Sequence, residues 1–332
     1  MKYTIGLSAV LLSLPALAIP AQAQQAVRPA VVYSTGGKAD KSFNEAASKG
    51  IARFTRATRA AVTEFEPASD ADFEPALRRF AQDAYDPIVV VGSLQAAALE
   101  KVAKEFPDSR FTIIDATVAL PNVRSILFKE QESTFLVGMA AALASKSGKV
   151  GFIGGMDGTL MRRFQCGYEQ GIKYANPKVE LIANMAGTTS AAWNDPALGA
   201  KLAKAQFDRG VDVVYAAAGT TGVGVIQAAK DNKKLAIGSA NKGSDPDTIL
   251  TSTSKLVDVA TFQAFAMSLQ GTWRGGRSML GLKEGAVDWS PEDYNKKLIT
   301  PDMKKKIDAA KADIIAGKIV VHDYASNNSC KR

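Results

Sequence analysis

Short apolar segments alternate with amphipathic segments along most of this chain, and this alternation limits the possible folds more than any other feature. The apolar segments are predicted strands, at 30–33, 88–91, 111–114, 150–153, 211–215 and 235–237. The amphipathic segments carry apolar residues at three- and four-residue intervals and are predicted helices, at 44–55, 73–85, 94–105, 133–145, 160–174 and 196–209. Continuously apolar strands separated by helices are typical of parallel sheets covered on both faces. The sequence therefore predicts an α/β fold of doubly wound parallel sheets.

The strand–helix pattern restarts at 149–155 after about five units, which indicates a second lobe. At 332 residues the chain also exceeds the length at which a single hydrophobic core keeps growing. After residue 256 we expect another helix, a hairpin-like stretch at about 280–289 and a charged helix at 301–316, shared between the lobes. We predict lobe 1 at 27–128 plus about 257–285, and lobe 2 at 129–256 plus about 286–332, joined by a hinge that the chain crosses more than once.

The first residues have the pattern of a secretory leader. Lys2 is the single charge before a run that is apolar through Leu17 and ends in small residues, so we expect a signal peptide at 1–23. A membrane anchor is the alternative, but Pro15 and Pro20 interrupt the run, and it is shorter than the roughly 20 residues of a spanning helix. Since no cysteine lies near the cleavage site, we expect a secreted periplasmic protein that is not lipid-anchored.

Lysine and arginine number 41 against 33 aspartates and glutamates, a formal charge of +8. Such an excess can bind nucleic acid, but these basic residues are scattered, and the dense run Lys304–Lys306 falls on a predicted helix with alternating charged and apolar positions. A solvated helix face accounts for that run. We expect no nucleic-acid partner.

Cys166 and Cys330 are the two cysteines of the chain, and an oxidising compartment favours a disulfide between them. The bond requires their Cα atoms to lie within about 7 Å of each other. It would tie the C-terminus to a helix of the second lobe. The alternative is one buried thiol and one in a frayed terminus.

Ligands of open parallel sheets bind outside the carboxyl ends of the strands, so the loops after the predicted strands are candidate sites. In the first such loop, Asp40 or Ser42 can cap the next helix. Phe43 and Asn44 place an aromatic plane beside an amide, which is the chemistry that a planar heterocycle needs. Helix capping and core packing explain the same residues without a ligand.

Several motifs along the chain occur together in one known family. They are Gly37, Asp40, Ser42, Phe43 and Asn44; Phe128 to Glu132, Gly138, Gly154 to Asp157 and Arg162 to Phe164; and Asn194 to Pro196, Ala216 to Gly222, Leu250 to Ser252 and Lys255. In this order they resemble the BMP (basic membrane protein) family of ABC-transporter solute receptors, and the resemblance covers essentially all of the chain after residue 23.

The resemblance implies a type I periplasmic binding protein fold whose lobes close on a small ligand. Since several members of the family bind purine nucleosides, we expect a purine nucleoside. It further implies a monomer that delivers this ligand to an ABC transporter permease in the inner membrane. Phe43 and Trp193 would flank the base, and Asn44 would address its edge. The implied ligand-binding residues are Asp40, Phe43, Asn44, Asp115, Asp157, Trp193, Gly219, Gly222, Asn241 and Lys255.

Three of these positions have plain structural explanations that stay open. Asp157 can be the N-cap of the following helix, Lys255 a surface charge, and Trp193 a core residue. The segment 239–243 also departs from the family, whose members commonly have an acidic residue there. Asn241 can replace it as a partner for a sugar hydroxyl, but a nucleotide, an acid or another solute remains an alternative ligand.

Residues for catalysis are scarce. His322 is the single histidine, no Gly-x-Ser-x-Gly motif occurs, and two distant cysteines with one histidine do not resemble a zinc site. The glycine-rich segment 218–224 fits neither nucleotide-binding fingerprint. We therefore expect no enzyme, no metal and no cofactor. A transcription regulator can share this fold, but no helix-turn-helix precedes residue 29; a chemosensory receptor remains an alternative.

Overall fold

The computed structural model describes residues 28–239, 245–290 and 295–330, which form two α/β lobes, each built on a six-stranded sheet. The strands of the first sheet are β1 (Ala30–Val32), β2 (Thr63–Phe65), β3 (Ile88–Val91), β4 (Phe111–Ile114), β5 (Val123–Phe128) and β11 (Gly276–Leu280). Their order is β11-β5-β4-β3-β1-β2, and every neighbouring pair is parallel.

Helices cover both faces of the first sheet: α1 (Phe43–Thr58), α2 (Phe73–Gln82), α3 (Ala96–Glu105) and α8 (Val257–Leu269). Successive side chains of a strand point to opposite faces. Val31 and Val89 accordingly belong to the core cluster that includes α1 and α8, whereas Val32 and Val90 belong to the cluster that includes α2 and α3. β1 and β3 are apolar at every position because both of their faces are buried.

The second sheet contains β6 (Lys149–Met156), β7 (Glu180–Gly187), β8 (Val213–Ala217), β9 (Leu235–Ser239), β10 (Ile249–Lys255) and β12 (Val287–Trp289). The order is β12-β10-β9-β8-β6-β7, with β12 antiparallel to β10 and the other pairs parallel. Its helices are α4 (Glu130–Ala144), α5 (Thr159–Ala175), α6 (Pro196–Asp208), α7 (Thr221–Asp231) and α9 (Pro301–Ile315).

Helices α4 and α5 pack with their backbones in direct contact. A Cβ atom at Gly171 of α5 would lie 1.9 Å from the carbonyl oxygen of Phe135, and one at Gly138 of α4 would lie 2.2 Å from that of Tyr168. Glycine is therefore required on both helices at this crossing. Close contact with α5 on one side and the sheet on the other buries almost the whole of α4.

Among the described residues, no helix has the length and apolar character to cross a bilayer.

The predicted hairpin-like stretch at 280–289 is wrong, because its two strands belong to different sheets. β11 extends the first sheet beside β5, and β12 extends the second beside β10. The chain passes between the sheets after β5, after β10 and again after β11. A multiply crossed connection is thus observed, while the exact lobe boundaries stay a prediction.

The expected disulfide is present. Cys166 on α5 is bonded to Cys330, with their Cα atoms 5.3 Å apart, within the range that a disulfide requires. It closes a sequence separation of 164 residues and fixes the C-terminal segment on the second lobe.

Candidate ligand-binding site

A cavity of about 440 Å³ is lined by loops from both lobes. The first lobe contributes the loops after β1, β3 and β4, and the second contributes those after β6 and β8 together with the end of β10. Carboxyl ends of parallel strands from both sheets therefore meet at one place, which is where such sheets bind ligands. The volume lies within the range of small-molecule sites.

The loop between β1 and α1 is shaped by Asp40. Its carboxylate accepts hydrogen bonds from the backbone N–H groups of Ser42 at 2.8 Å, Asn44 at 3.0 Å and Glu45 at 3.1 Å. These are donors of the first turn of α1, so Asp40 caps that helix. Burial raises the pKa of Asp40, and the three N–H donors offset part of the rise. Asp40 lines the cavity, but its oxygens serve the helix end.

The Asn44 amide holds the same loop. It donates to the carbonyl oxygens of Ser34 and Gly37, each at 3.0 Å, and accepts from the Ser34 N–H at 3.2 Å. Both amide hydrogens are thus engaged with the backbone. Asn44 lines the cavity, but its amide group is engaged with the backbone of Ser34 and Gly37.

A buried charge cluster lies at the base of the cavity. Lys255 Nζ is 2.6 Å from Oδ2 of Asp115 and 3.0 Å from Oε1 of Glu130. Burial lowers the pKa of Lys255, but attraction to the two carboxylates outweighs burial, so its pKa lies above the ordinary value. Burial raises the pKa of Asp115, and Lys255 offsets part of that rise. The cluster keeps Lys255 as an ammonium ion.

Two residues that line the cavity each have a buried side-chain oxygen without a hydrogen-bond partner among the described residues: Oδ1 of Asp115 and Oγ1 of Thr35. Leaving such a group unpaired costs about 1–3 kcal/mol, and more when it is charged. The free oxygen of Asp115 can accept only from a donor, such as an N–H or O–H of a ligand. This unpaired oxygen makes Asp115 a candidate contact for a ligand donor.

One aromatic side chain from each lobe contributes to the wall of the cavity. Phe43 comes from the first lobe, and its ring centroid lies 5.0 Å from Nζ of Lys255, within the range of a cation–π contact. Trp193 comes from the second lobe and packs directly on Gly155, where a Cβ atom would lie only 2.3 Å from Cε3 of the indole. Gly155 therefore makes room for the Trp193 ring. Each ring gives the cavity a flat apolar surface.

Seven of the ten residues predicted for the site line this one cavity: Asp40, Phe43, Asn44, Asp115, Trp193, Gly219 and Lys255. Two others do not line it. Asp157 is paired through both oxygens with Arg162 beside a separate small pocket, and Gly222 lies in the first turn of α7, where its N–H donates to the carbonyl of Gly219. Asn241 lies outside the described residues. The contribution of each residue to binding stays a prediction.

Sequence reasoning missed Glu130 and Arg163 as parts of the site. Glu130 starts α4 directly after β5, and Arg163 lies one turn into α5 and lines the cavity. Both occur in the motifs that carry the family resemblance, which was the available signal. Charged residues on helices are usually exposed, and their burial, with side chains 2% and 9% exposed, becomes visible only when the two helices are packed.

Residues 27–324 match the family model described as ABC transporter substrate-binding protein PnrA-like, Bmp. The chain belongs to the Bmp family. This family consists of solute-binding proteins rather than enzymes, and its members bind small molecules and work with ABC transporters. Bmp proteins share the type I periplasmic binding protein fold found here.

This Bmp protein is similar in sequence to several named proteins and in structure to a solved solute-binding protein. The CD4+ T-cell-stimulating antigen of Listeria monocytogenes is 34% identical over 88% of this chain and 87% of its own. The ABC transporter nucleoside-binding protein BmpA of Lactococcus lactis is 31% identical over 89% of both chains. A crystal structure of an ABC transporter solute-binding protein from Aeropyrum pernix has a TM-score of 0.82 at 32% identity, covering 89% of this chain and 94% of the other.

The comparisons contradict the predicted absence of a lipid anchor. Bmp relatives from Pyrococcus abyssi, Pyrococcus horikoshii and Pyrococcus furiosus, each 34% identical, are named uncharacterized lipoproteins. These names point to lipid anchoring, so the prediction of a protein that is not lipid-anchored is wrong. It depended on the lack of a cysteine near residue 23, a region outside the described residues. Lipid attachment is independent of the ligand-binding fold, so nothing in the fold pattern signalled it.

Proposed function

We propose that this Bmp protein captures an uncharged nucleoside, most readily a purine nucleoside, between its two lobes and delivers it to an ABC permease. The proposed lobes are 28–128 plus about 257–285, and 129–256 plus about 286–330. The ligand contacts both and stabilises the closed form, because it binds that form more tightly than the open one. The closed monomer is then the form that the permease recognises.

The observation that carries the proposal is the unpaired Oδ1 of Asp115 in a cavity whose walls include two aromatic rings. A carboxylate oxygen accepts from the ring N–H or exocyclic amine of a base, or from a ribose hydroxyl. Phe43 and Trp193 supply flat apolar surfaces for a base, and stacking is tolerant of which base is present. The combination suits a flat heterocycle that carries hydrogen-bond donors.

The charges around the cavity favour a neutral ligand over a nucleotide. Among the described lining residues the cations are Arg163 and Lys255, and both are already paired with carboxylates. A phosphate would have to compete with Asp115 and Glu130 for Lys255. Uncharged nucleosides need no such exchange. The nucleoside-binding BmpA of Lactococcus lactis, at 31% identity, supports the same ligand class.

The proposal is tested by calorimetric titration of protein that has been unfolded and refolded to remove copurified ligand. We expect inosine, guanosine or adenosine to bind, and the corresponding monophosphates to bind far more weakly. Tight binding of a monophosphate, with no binding of the nucleoside, would show that the ligand is a nucleotide and contradict the proposal. Binding of a sugar or amino acid alone would retain a solute receptor but remove the nucleoside.

A further inference from the structure

We infer that Asp323 and Arg163 are positioning residues for Lys255 in the cavity, and that the Cys166–Cys330 disulfide keeps Asp323 in that role. The C-terminal segment, residues 319–330, would then set the strength of ligand binding although most of it lies away from the ligand. This inference rests on the proposed function for its ligand and concerns the same cavity.

A line of alternating charges connects the cavity to the C-terminal segment, in the order Asp115, Lys255, Glu130, Arg163 and Asp323. Beyond the Lys255–Glu130 contact, Nη1 of Arg163 lies 3.1 Å from Oε2 of Glu130. Nε of Arg163 lies 2.7 Å from Oδ1 of Asp323. Glu130 thus binds one cation through each of its two oxygens, and Arg163 binds one carboxylate on each side.

Burial makes the members of this line depend on one another. The side chain of Glu130 is 2% exposed, that of Arg163 is 9% exposed, and that of Lys255 is 16% exposed. Charges attract more strongly in such surroundings than in water, and a buried charge that loses its partner is costly. If Asp323 is neutralised, Arg163 turns more fully to Glu130, and Glu130 attracts Lys255 less. Lys255 then shifts toward Asp115 and away from its position in the cavity.

Three attachments hold the C-terminal segment on one face of α5. Arg163 binds Asp323, Cys166 is bonded to Cys330, and Gln170 exchanges two hydrogen bonds with the backbone of His322, at 3.0 and 2.9 Å. Positions three and four apart lie on the same face of a helix. The disulfide therefore fixes the same strip of α5 on which Asp323 docks, and its reduction frees the end of the segment.

The first test measures the NMR signal of the Lys255 ammonium group in the absence of any ligand. In protein with ¹⁵N-labelled lysine side chains, the Lys255 ammonium signal is assigned by its loss in Lys255→Arg. We expect Asp323→Asn to move this signal. Asp86→Asn is the matched control and should leave the signal unmoved: Asp86 likewise pairs with an arginine, Arg110, has a similar exposure of 32% against 27%, and does not line the cavity. An unmoved Lys255 signal in Asp323→Asn would overturn the inference.

The second test uses inosine affinity and the redox state. Asp323→Asn should raise the Kd for inosine by about 2- to 30-fold, the range typical of changes along a coupled network, while Asp86→Asn leaves it unchanged. Reduction with dithiothreitol, or Cys330→Ser, should raise the Kd of the wild-type protein but add little in Asp323→Asn. Equal effects of reduction in both backgrounds would show that the disulfide does not act through Asp323.

The two proposals fail in different ways. If no nucleoside binds the wild-type protein, the proposed ligand class is wrong, while the Lys255 signal still decides whether Asp323 positions Lys255. If inosine binds but Asp323→Asn changes neither its affinity nor the Lys255 signal, the C-terminal segment packs on α5 without influencing the cavity. Should Asp323→Asn not fold, the Cys330→Ser protein gives the same two measurements with all five charges retained.

Discussion

Nζ of Lys255 lies 2.6 Å from Oδ2 of Asp115, and this ion pair connects the end of β10 in the second sheet with the residue directly after β4 in the first. The contact spans the two lobes at the cavity. A ligand donor that binds Oδ1 of Asp115 therefore joins a contact that already bridges the lobes. We propose that ligand binding and lobe closure are coupled through Asp115.

Replacing Asp115 by Asn should weaken inosine binding by about 1.5–3 kcal/mol, the usual contribution of a hydrogen bond to a charged group. It should also remove a pH dependence. Because burial raises the pKa of Asp115, its carboxylate is protonated on acidification at a higher pH than an ordinary aspartate. Wild-type affinity then falls as the pH falls, whereas that of the Asn variant stays flat. Titration calorimetry across pH measures both.

Asp86→Asn is the control for that experiment. Asp86, like Asp115, is ion-paired, in its case with Arg110, but it does not line the cavity. Its affinity for inosine should follow the wild-type curve. Coincident curves for wild type and Asp115→Asn would show that the carboxylate plays no part in binding.

Phe43→Ala should reduce nucleoside affinity by roughly 1–3 kcal/mol, the loss found when an aromatic side chain that stacks on a base is removed. Phe106→Ala provides a comparison, since Phe106 is likewise partly buried in the first lobe but lies outside the cavity. Both variants should lose stability, and the Phe43 variant alone should lose affinity. Equal affinities of the two variants would exclude stacking on Phe43. Denaturant unfolding and calorimetry separate the two effects.

Gly155→Ala should displace Trp193. The new Cβ would lie 2.3 Å from the indole, and overpacking of this kind costs about 1–3 kcal/mol. We expect lower stability and a changed tryptophan fluorescence spectrum in the absence of ligand. Gly158→Ala, where a Cβ meets nothing within 4 Å, should leave both unchanged. An unaltered spectrum in Gly155→Ala would mean that the indole is not held against this glycine.

The pair of Asp157 and Arg162 should stabilise the fold in a pH-dependent way. Its hydrogen bonds with Arg162 hold the pKa of Asp157 below the ordinary value of 3.8. A carboxyl group with a lowered pKa in the folded state stabilises it above the unfolded pKa and loses this effect as the pH falls through the folded value. Denaturant unfolding should therefore find Asp157→Asn less stable than wild type near neutral pH, with the gap closing below the ordinary value. A difference in stability that persists in strong acid would show that it does not come from the ionised Asp157 carboxylate.

The sequence predicted three interior strands in each sheet, β1, β3 and β4 in the first and β6, β8 and β9 in the second, because strands buried on two faces must be apolar at nearly every position. It missed the interior strand β5, whose apolar run is interrupted by Arg124 and Ser125. It did not reveal β2 and β7, which lie at the sheet edges. β2 is mostly exposed, and β7 is only partly buried, so their residues need not be apolar. They pair through backbone hydrogen bonds, which leave little trace in composition. β11 and β12 were predicted to form one hairpin because they are neighbours in sequence. Closeness in sequence does not reveal that the two strands join different sheets.

The site was predictable to the level of loops but not of atoms. Strand ends identified the loops that carry Phe43 and Asp115, since parallel strands bring their carboxyl ends together. Lys255, at the end of β10, came from the family resemblance. The sequence could not show that the Asn44 amide is engaged by its own loop, because that depends on the exact course of the backbone. Nor could it show that Glu130 is buried, since this follows from how α4 packs.

Thermal unfolding of refolded, ligand-free protein with a panel of nucleosides, bases, nucleotides, sugars and amino acids tests the proposed ligand class most directly. At 100 times its Kd a ligand stabilises the folded state by about 2.7 kcal/mol. We predict a clear rise in Tm with at least one purine nucleoside, little change with its monophosphate, and a much smaller rise in Asp115→Asn. A rise produced by another solute class, with no response to any nucleoside, would contradict nucleoside capture by this cavity.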